Sequence, residues 1–355
     1  MAKILIKNGR VFDGERFSYS DIFVDGKEIV KLESNINDSA DLVYDAAGKT
    51  VSAGLIDAHV HMRGISSERF GIQAEMSCFP FGVTSAADGA ASKGDKALLE
   101  GFMLKAVVFV GTSIKDNRAN FSNTERIMSL YGDSVVGIKS YFDANVGEID
   151  DIKPLKEICE FAHKRGLPVM VHCTNSPVAM KEILETLKTG DILTHAFNGS
   201  INNAAADDFA SMTEAQKRGI IIDVGFAGNV HTDFGVMKRA LDCGLVPDVI
   251  STDITRLSAF VRGGRYGMTM CMSIAKLLGM SETDIFKAVT SNPAKALGKA
   301  SKWGYLKVGG PADIAVFDYT DEGFDLTDKA GNRVKSDKGY RCVLTLSDGQ
   351  VVYKY

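Results

Sequence analysis

The chain has 355 residues, a net charge of −4 and six scattered cysteines, enough length for one α/β barrel or two ordinary domains. Nucleic-acid binding would call for a basic patch or stripe, and lysine plus arginine (41) do not exceed aspartate plus glutamate (45). With no CxxC pair, Cys78, Cys159, Cys173, Cys243, Cys271 and Cys342 read as reduced thiols rather than a disulfide framework.

The first residues, MAKILIKNGRVFDGE, alternate and are soon interrupted by charge, which describes a strand and not a signal peptide. No apolar run approaches membrane-spanning length. A soluble, cytoplasmic protein is expected, with neither membrane nor nucleic acid as partner. Through residue 50, ILIKNGRVF, DIFVDGKEIVKL and LVYDAAGKTV alternate or run apolar about Asn-Gly, Asp-Gly and Ala-Gly turn signals, the pattern of short strands. From about residue 304 the same character returns in ADIAVFDY and YRCVLTLSDGQVVYKY. Neither end is long enough to make a stable sheet alone. The two ends, 1–52 and 304–355, are therefore expected to pair into one small β-sandwich domain.

Residues 53–303 change rhythm. Apolar runs end at HVH (58–61), VTSAADG (83–89), AVVFVG (106–111), VVGIKSYF (135–142), LPVMVHC (167–173), DILTHAF (191–197), GIIIDVGF (219–226) and DVISTDI (248–254). Amphipathic segments such as 150–166, 176–190 and 232–244 lie between them. Eight such units over about 250 residues predict a (β/α)8 TIM barrel, closed by helices over 265–279 and 282–298 with a break at Asn292-Pro293. An open doubly wound sheet is the competing fold; it would want a Gly-rich phosphate turn after its first strand, and there is none.

A barrel of this kind carries its site at the C-terminal strand ends. Those ends present His59 and His61 on the first strand, Lys139 on the fourth, His172 on the fifth, His195 on the sixth and Asp253 on the eighth. Imidazole and carboxylate suit a divalent ion such as Zn2+, Fe2+ or Mn2+. His59 and His61 in GLIDAHVHMRG stand at i and i+2 of a strand, so both face the barrel mouth. A buried lysine beside cations is driven toward its neutral amine, which combines with CO2 to give a two-oxygen carbamate. That chemistry would put one ion on His59, His61 and Asp253, a second on His172 and His195, and the carbamate of Lys139 across both. A Lys139 ion-paired to Asp253 or to a substrate is the plainer alternative.

In order and spacing, GLIDAHVH, the lysine of GIKSYF, VMVHC, ILTHAFNG and STDIT resemble the metal-binding motifs of the amidohydrolase superfamily. AAGKTVSAGLID, SNPAKALG and KVGGPADIAVFD resemble its β-domain junctions, so the likeness spans nearly the whole chain. VHCTNSP and THAFNG carry a finer resemblance, to a deacetylase-like branch related to dihydroorotases. The resemblance implies a binuclear centre, commonly zinc, with carboxylated Lys139, a bridging hydroxide as nucleophile and Asp253 as the proton shuttle.

Arg63, two residues past His61, matches an arginine that dihydroorotases and their relatives use on a substrate carboxylate, a geometry the guanidinium fork suits; a solvated loop charge is the alternative. Asn175, Asn198 and Arg256 follow strand ends five, six and eight as candidate substrate contacts. His231 either reaches the site from strand seven or opens the next helix at the surface, and the surface is favoured. His163, on a helix, reads as structural, and Cys173, next to His172, as a thiol packed away from the metal face. GGRYG (263–267) is either a cover over the site or a plain loop. The predicted reaction is hydrolysis of an amide or ester of a small, carboxylate-bearing molecule, deacetylation of an N-acetyl amino acid or O-acetyl hydroxy acid. Ring-opening of a cyclic amide, of the dihydroorotase or hydantoinase kind, is the alternative, and a non-catalytic assembly protein the third. A homo-oligomer is compatible with the sequence.

Overall fold

The computed structural model describes residues 2–228, 230–261 and 264–355. From the N-terminus come β1 (Lys3–Phe12), β2 (Phe17–Asp25), β3 (Glu28–Glu33), β4 (Leu42–Asp45) and β5 (Thr50–Ala53). The central part supplies β6 (Leu55–Val60), β7 (Val83–Ala91), β8 (Lys105–Lys115), β9 (Arg118–Asn120), β10 (Val135–Tyr141), β11 (Val169–His172), β12 (Ile192–Thr194) and β13 (Ile221–Ile222). After a small ladder of β14 (Phe260–Val261) and β15 (Gly264–Arg265), the tail adds β16 (Ile314–Thr320), β17 (Phe324–Thr327), β18 (Arg333–Ser336), β19 (Gly339–Ser347) and β20 (Gln350–Lys354). The helices are α1 (Ala74–Cys78), α2 (Lys96–Glu100), α3 (Ser122–Tyr131), α4 (Lys153–His163), α5 (Met180–Thr186), α6 (Ala210–Lys217), α7 (Phe234–Asp242), α8 (Met268–Leu278), α9 (Glu282–Val289) and α10 (Ser291–Ala296).

The chain ends share one sheet, ordered β20-β19-β16-β5-β1-β2-β3 with β4 on β1. Its seam is β5 against β16, with Val51 opposite Val316 and Ala53 opposite Ile314. Alternation along the strands puts Ile4, Ile6, Ile22, Val24, Val316, Leu344 and Leu346 into one core. A bridge between Glu28 and Pro311 brings the β3 edge to the chain entering β16, so the sheet curls around that core. β17 and β18 form a separate ribbon.

The second sheet is parallel, β6-β7-β8-β10-β11-β12-β13. Every residue of β6 and β7 is buried, as expected of strands covered on both faces. The eighth run, DVISTDI, is not a regular strand. It closes the barrel through isolated parallel bridges, Val249 to Asp223 and Ile254 to Val60, with Val224 N donating to Val249 O and Asp253 N to His59 O at 2.7 Å. Asp253 has φ +45°, a left-handed conformation that ends any strand geometry there.

The helical periodicity holds where the apolar stripe is plain. In α4, Leu155, Ile158, Cys159 and Ala162 are buried, the i, i+3, i+4, i+7 face, and Pro154 sits in the first turn, where no amide donor is needed. The break expected at Asn292-Pro293 falls earlier, at Thr290 (φ −132°, ψ −87°); Pro293 is then accommodated in the first turn of α10. All six cysteines are free and all but Cys243 are buried. Among the described residues, no helix is long and apolar enough to cross a membrane.

Candidate metal centre

Five histidines and one aspartate meet at the C-terminal mouth of the barrel. Asp253 is the hub. Its Oδ1 stands 3.0 Å from His61 Nε2 and 3.3 Å from His59 Nε2, and its Oδ2 stands 3.8 Å from His195 Nε2 and 3.9 Å from His231 Nε2. The His172 and His195 rings are 4.5 Å apart. Two donor sets result, His59 with His61 and Asp253, and His172 with His195 and His231. Lys139, fully buried on β10, puts its Nζ 3.1 Å from His59 Nε2.

The outer nitrogens of three rings are already engaged. His59 Nδ1 lies 3.1 Å from Thr194 Oγ1, which donates to Asp223 Oδ2. His61 Nδ1 lies 3.2 Å from Ser66 Oγ, which donates to Asp88 Oδ1. His195 Nδ1 lies 2.7 Å from the Gly225 carbonyl. Such partners fix the tautomer and leave the Nε2 lone pairs facing inward. His172 is turned the other way. Its Nε2 is within 2.5 Å of Thr174 Oγ1 and 3.2 Å of Asp143 Oδ2, which leaves Nδ1 as the ring nitrogen available to an ion. His195 itself has φ +59°, a backbone strain of the kind that clusters at functional sites.

Burial, with Lys139 close by, pulls His59 well below the usual histidine range, and burial does the same to His195 and lowers His172. Burial also depresses His61, but the facing Asp253 outweighs it and the net shift is upward. Lys139 is pulled down to about 8 by burial. Burial would raise Asp253, yet His59 and His61 hold it well below the carboxylate range. These residues fit a divalent-metal centre. The imidazoles are mostly neutral donors, the carboxylate is ionised, and His195 Nε2 is buried without a hydrogen-bond partner.

Small residues make room for the rings. A Cβ on Gly89 of β7 would stand 2.2 Å from His59 Cδ2 and 2.6 Å from its Nε2. Gly89→Ala is therefore expected to displace the ring and weaken metal binding by about 10–100-fold, the scale of a disturbed ligand-orienting contact. Competition with a chelator measures this; an unchanged affinity would mean that His59 is not a ligand.

The structure separates the other candidates. Arg63 does not reach the cavity. Its Nε pairs with Glu68 at 2.9 Å, both side chains more than half exposed, so the carboxylate the guanidinium was expected to meet is already supplied by the protein. Arg63→Ala is expected to change kcat/KM by less than about threefold, since exposed pairs contribute little; a KM rise of tenfold or more would return Arg63 to the substrate. Arg256 is exposed and, like Asn175 and Asn198, is absent from the cavity wall. Asn175 donates to Asp143 and Asn198 to the His195 carbonyl, so both support the site from behind. His163 holds Asp191 at 3.0 Å, remote from the site. Cys159 lies close to that pair, but the carboxylate also accepts from Val169 N and Lys188 N, so the set is closed by its own hydrogen bonds. The Cys173 thiol donates to the Thr194 carbonyl, and burial pushes it up to about 12. GGRYG begins outside the described residues; Gly264–Arg265 pairs with Phe260–Val261.

The cavity above the histidines measures about 840 Å3 and includes His231, Tyr141 and Asp143. It also reaches Asn120, Asn123 and Thr124. These enter because β8 runs past the barrel and turns back as β9 through Asp116 and Asn117, both with positive φ. That is the two-residue hairpin turn favoured by Asp and Asn. The DN dipeptide between SIK and RAN was the available signal.

A barrel whose strand ends gather imidazoles, a lysine and a carboxylate defines a metal-dependent hydrolase. The Amidohydrolase family model matches residues 50–352, and the chain belongs to that family. It is 28% identical to a deacetylase of Enterococcus faecalis over 98% of each chain. Among solved structures it is similar to a dihydroorotase (TM-score 0.86, 25% identity) and to an adenine deaminase (TM-score 0.84, 26% identity), each matched over 99% of both chains.

Proposed function

We propose that this chain removes a small acyl group from an N-acetyl amino acid or an O-acetyl hydroxy acid, using two divalent ions, zinc foremost, held with a carboxylated Lys139. The observation that carries the reading is the convergence of His59, His61, His172, His195 and Asp253, with His195 Nε2 buried and unpartnered. The similarity to a deacetylase over nearly the full length favours acyl removal.

Divalent ions supply Lewis acidity and a water acidic enough to attack at neutral pH. The remaining work belongs to the chain. Asp253, ionised and facing four imidazoles, accepts the proton of the nucleophile and passes it to the departing nitrogen or oxygen. Lys139, drawn toward its neutral amine by burial, adds to CO2 through Nζ, forming an N–C bond and releasing one proton. For a substrate carboxylate, the described cavity wall offers neutral donors, Ser92, Ser113, Asn120 and Asn123.

The test is a hydrolysis screen of the metal-loaded enzyme that sets acetylated amino and hydroxy acids against dihydroorotate and hydantoins. Release of acetate from the first group is the expected result. Turnover of the cyclic compounds alone would move the assignment to ring-opening, the reading that the likeness to a dihydroorotase favours. Protein that takes up no metal would leave a non-catalytic assembly barrel.

A further inference from the structure

We infer that His231 is a third imidazole ligand of the second ion, which His172, His195 and His231 thus hold beside the carboxylated Lys139, with Asp253 Oδ2 facing the site. This assignment rests on the two-ion reading above and adds a ligand to the two-histidine set that the sequence alone suggested.

The carboxylate of Asp253 divides the histidines. Oδ1 belongs to His59 and His61, at 3.3 and 3.0 Å, and Oδ2 faces His195 and His231 almost equally, at 3.8 and 3.9 Å. The second pair of distances is too long for hydrogen bonding. It leaves Oδ2 able to take a proton, with His195 and His231 side by side next to it. The ring of His231 is 4.4 Å from that of His195 and 5.0 Å from that of His172, and one ligand nitrogen from each of the three rings lies within 4.8 Å of the others. His195 Nε2 points into this gap with no partner, its Nδ1 being engaged by Gly225.

The segment that carries His231 is fixed on both sides. Ala227 N donates to Thr252 O, and Asp233 N donates to Phe197 O. The Asp233 side chain then caps α7 by accepting from Val236 N. His231 is only a quarter exposed and faces the cavity, unlike a residue that merely opens the next helix.

Metal-free wild type and His231→Ala should be titrated with Co2+, following both binding isotherms and the visible spectrum of each added equivalent. Wild type is expected to take up two ions. The variant should keep the first unchanged, bind the second at least 10-fold more weakly and show an altered spectrum for that second equivalent only. Free imidazole should restore part of the second-ion affinity, and an unchanged melting temperature of the metal-free variant would exclude misfolding. A variant that binds both ions as wild type does, whatever its KM, overturns the assignment and leaves the two-ion reading intact. Wild type that saturates with fewer than two ions instead overturns the two-ion reading and the assignment with it.

Discussion

Asp253→Asn is expected to fold, to retain most of its metal and to lose about 10²–10⁴-fold in kcat, the range that a positioned proton-transfer group contributes. Asparagine is close in shape and keeps one oxygen for the imidazoles. It also tolerates the left-handed backbone at this position (φ +45°), since Asn and Asp are the side chains most at ease there. The main-chain link from Asp253 N to His59 O needs no carboxylate. What disappears is the negative charge and the ability to accept a proton. Because His59 and His61 hold Asp253 well below the carboxylate range, it is ionised throughout the neutral region. Steady-state kinetics paired with elemental analysis separates the outcomes. Turnover near the wild-type rate with metal in place would remove Asp253 from proton transfer.

The sequence made the first strand and its histidines legible because a strand has an exact period of two. His59 and His61 had to share a face, and they do, their rings 5.3 Å apart. The rhythm of short buried runs and amphipathic helices likewise prescribed the barrel. What escaped lies where no period applies. DVISTDI has the composition of a strand, but the left-handed Asp253 and the closing bridges at Val249 and Ile254 are products of barrel closure. His231 follows β13 in an aperiodic loop, so nothing local fixes its direction; the anchors are Thr252 and Phe197, distant in sequence. Arg63 was read by position relative to His61, whereas its partner was decided by the loop that returns Glu68 beside it. The support given to His59 by Thr194 and Asp223 joins β6, β12 and the residue that follows β13, and has no signature in any one of them.

Lys139→Ala should strip the centre of metal and abolish most turnover, and short carboxylic acids should restore part of both. Lys139 is wholly enclosed, so truncation leaves a void beside His59 into which formate or acetate could bring two oxygens to the place a carbamate would occupy. A fully metallated, active alanine variant would rule out the bridging role. Lys139→Met keeps most of the volume without an amine, and it separates loss of the ligand from loss of packing: it should lose metal, gain nothing from added acid and remain folded. The lysine also leaves a trace in metal-free protein. Its amine binds a proton less readily in the fold, at about 8, than in an unfolded chain, at roughly 10.4. Between those values the unfolded chain holds the extra proton, so this residue makes metal-free wild type more stable as pH rises from about 8 to about 10. Lys139→Met should lose that slope. Thermal melts of the two metal-free proteins across this window measure the difference, and parallel curves would show that the amine is not forced toward its neutral form, the condition on which its reaction with CO2 depends.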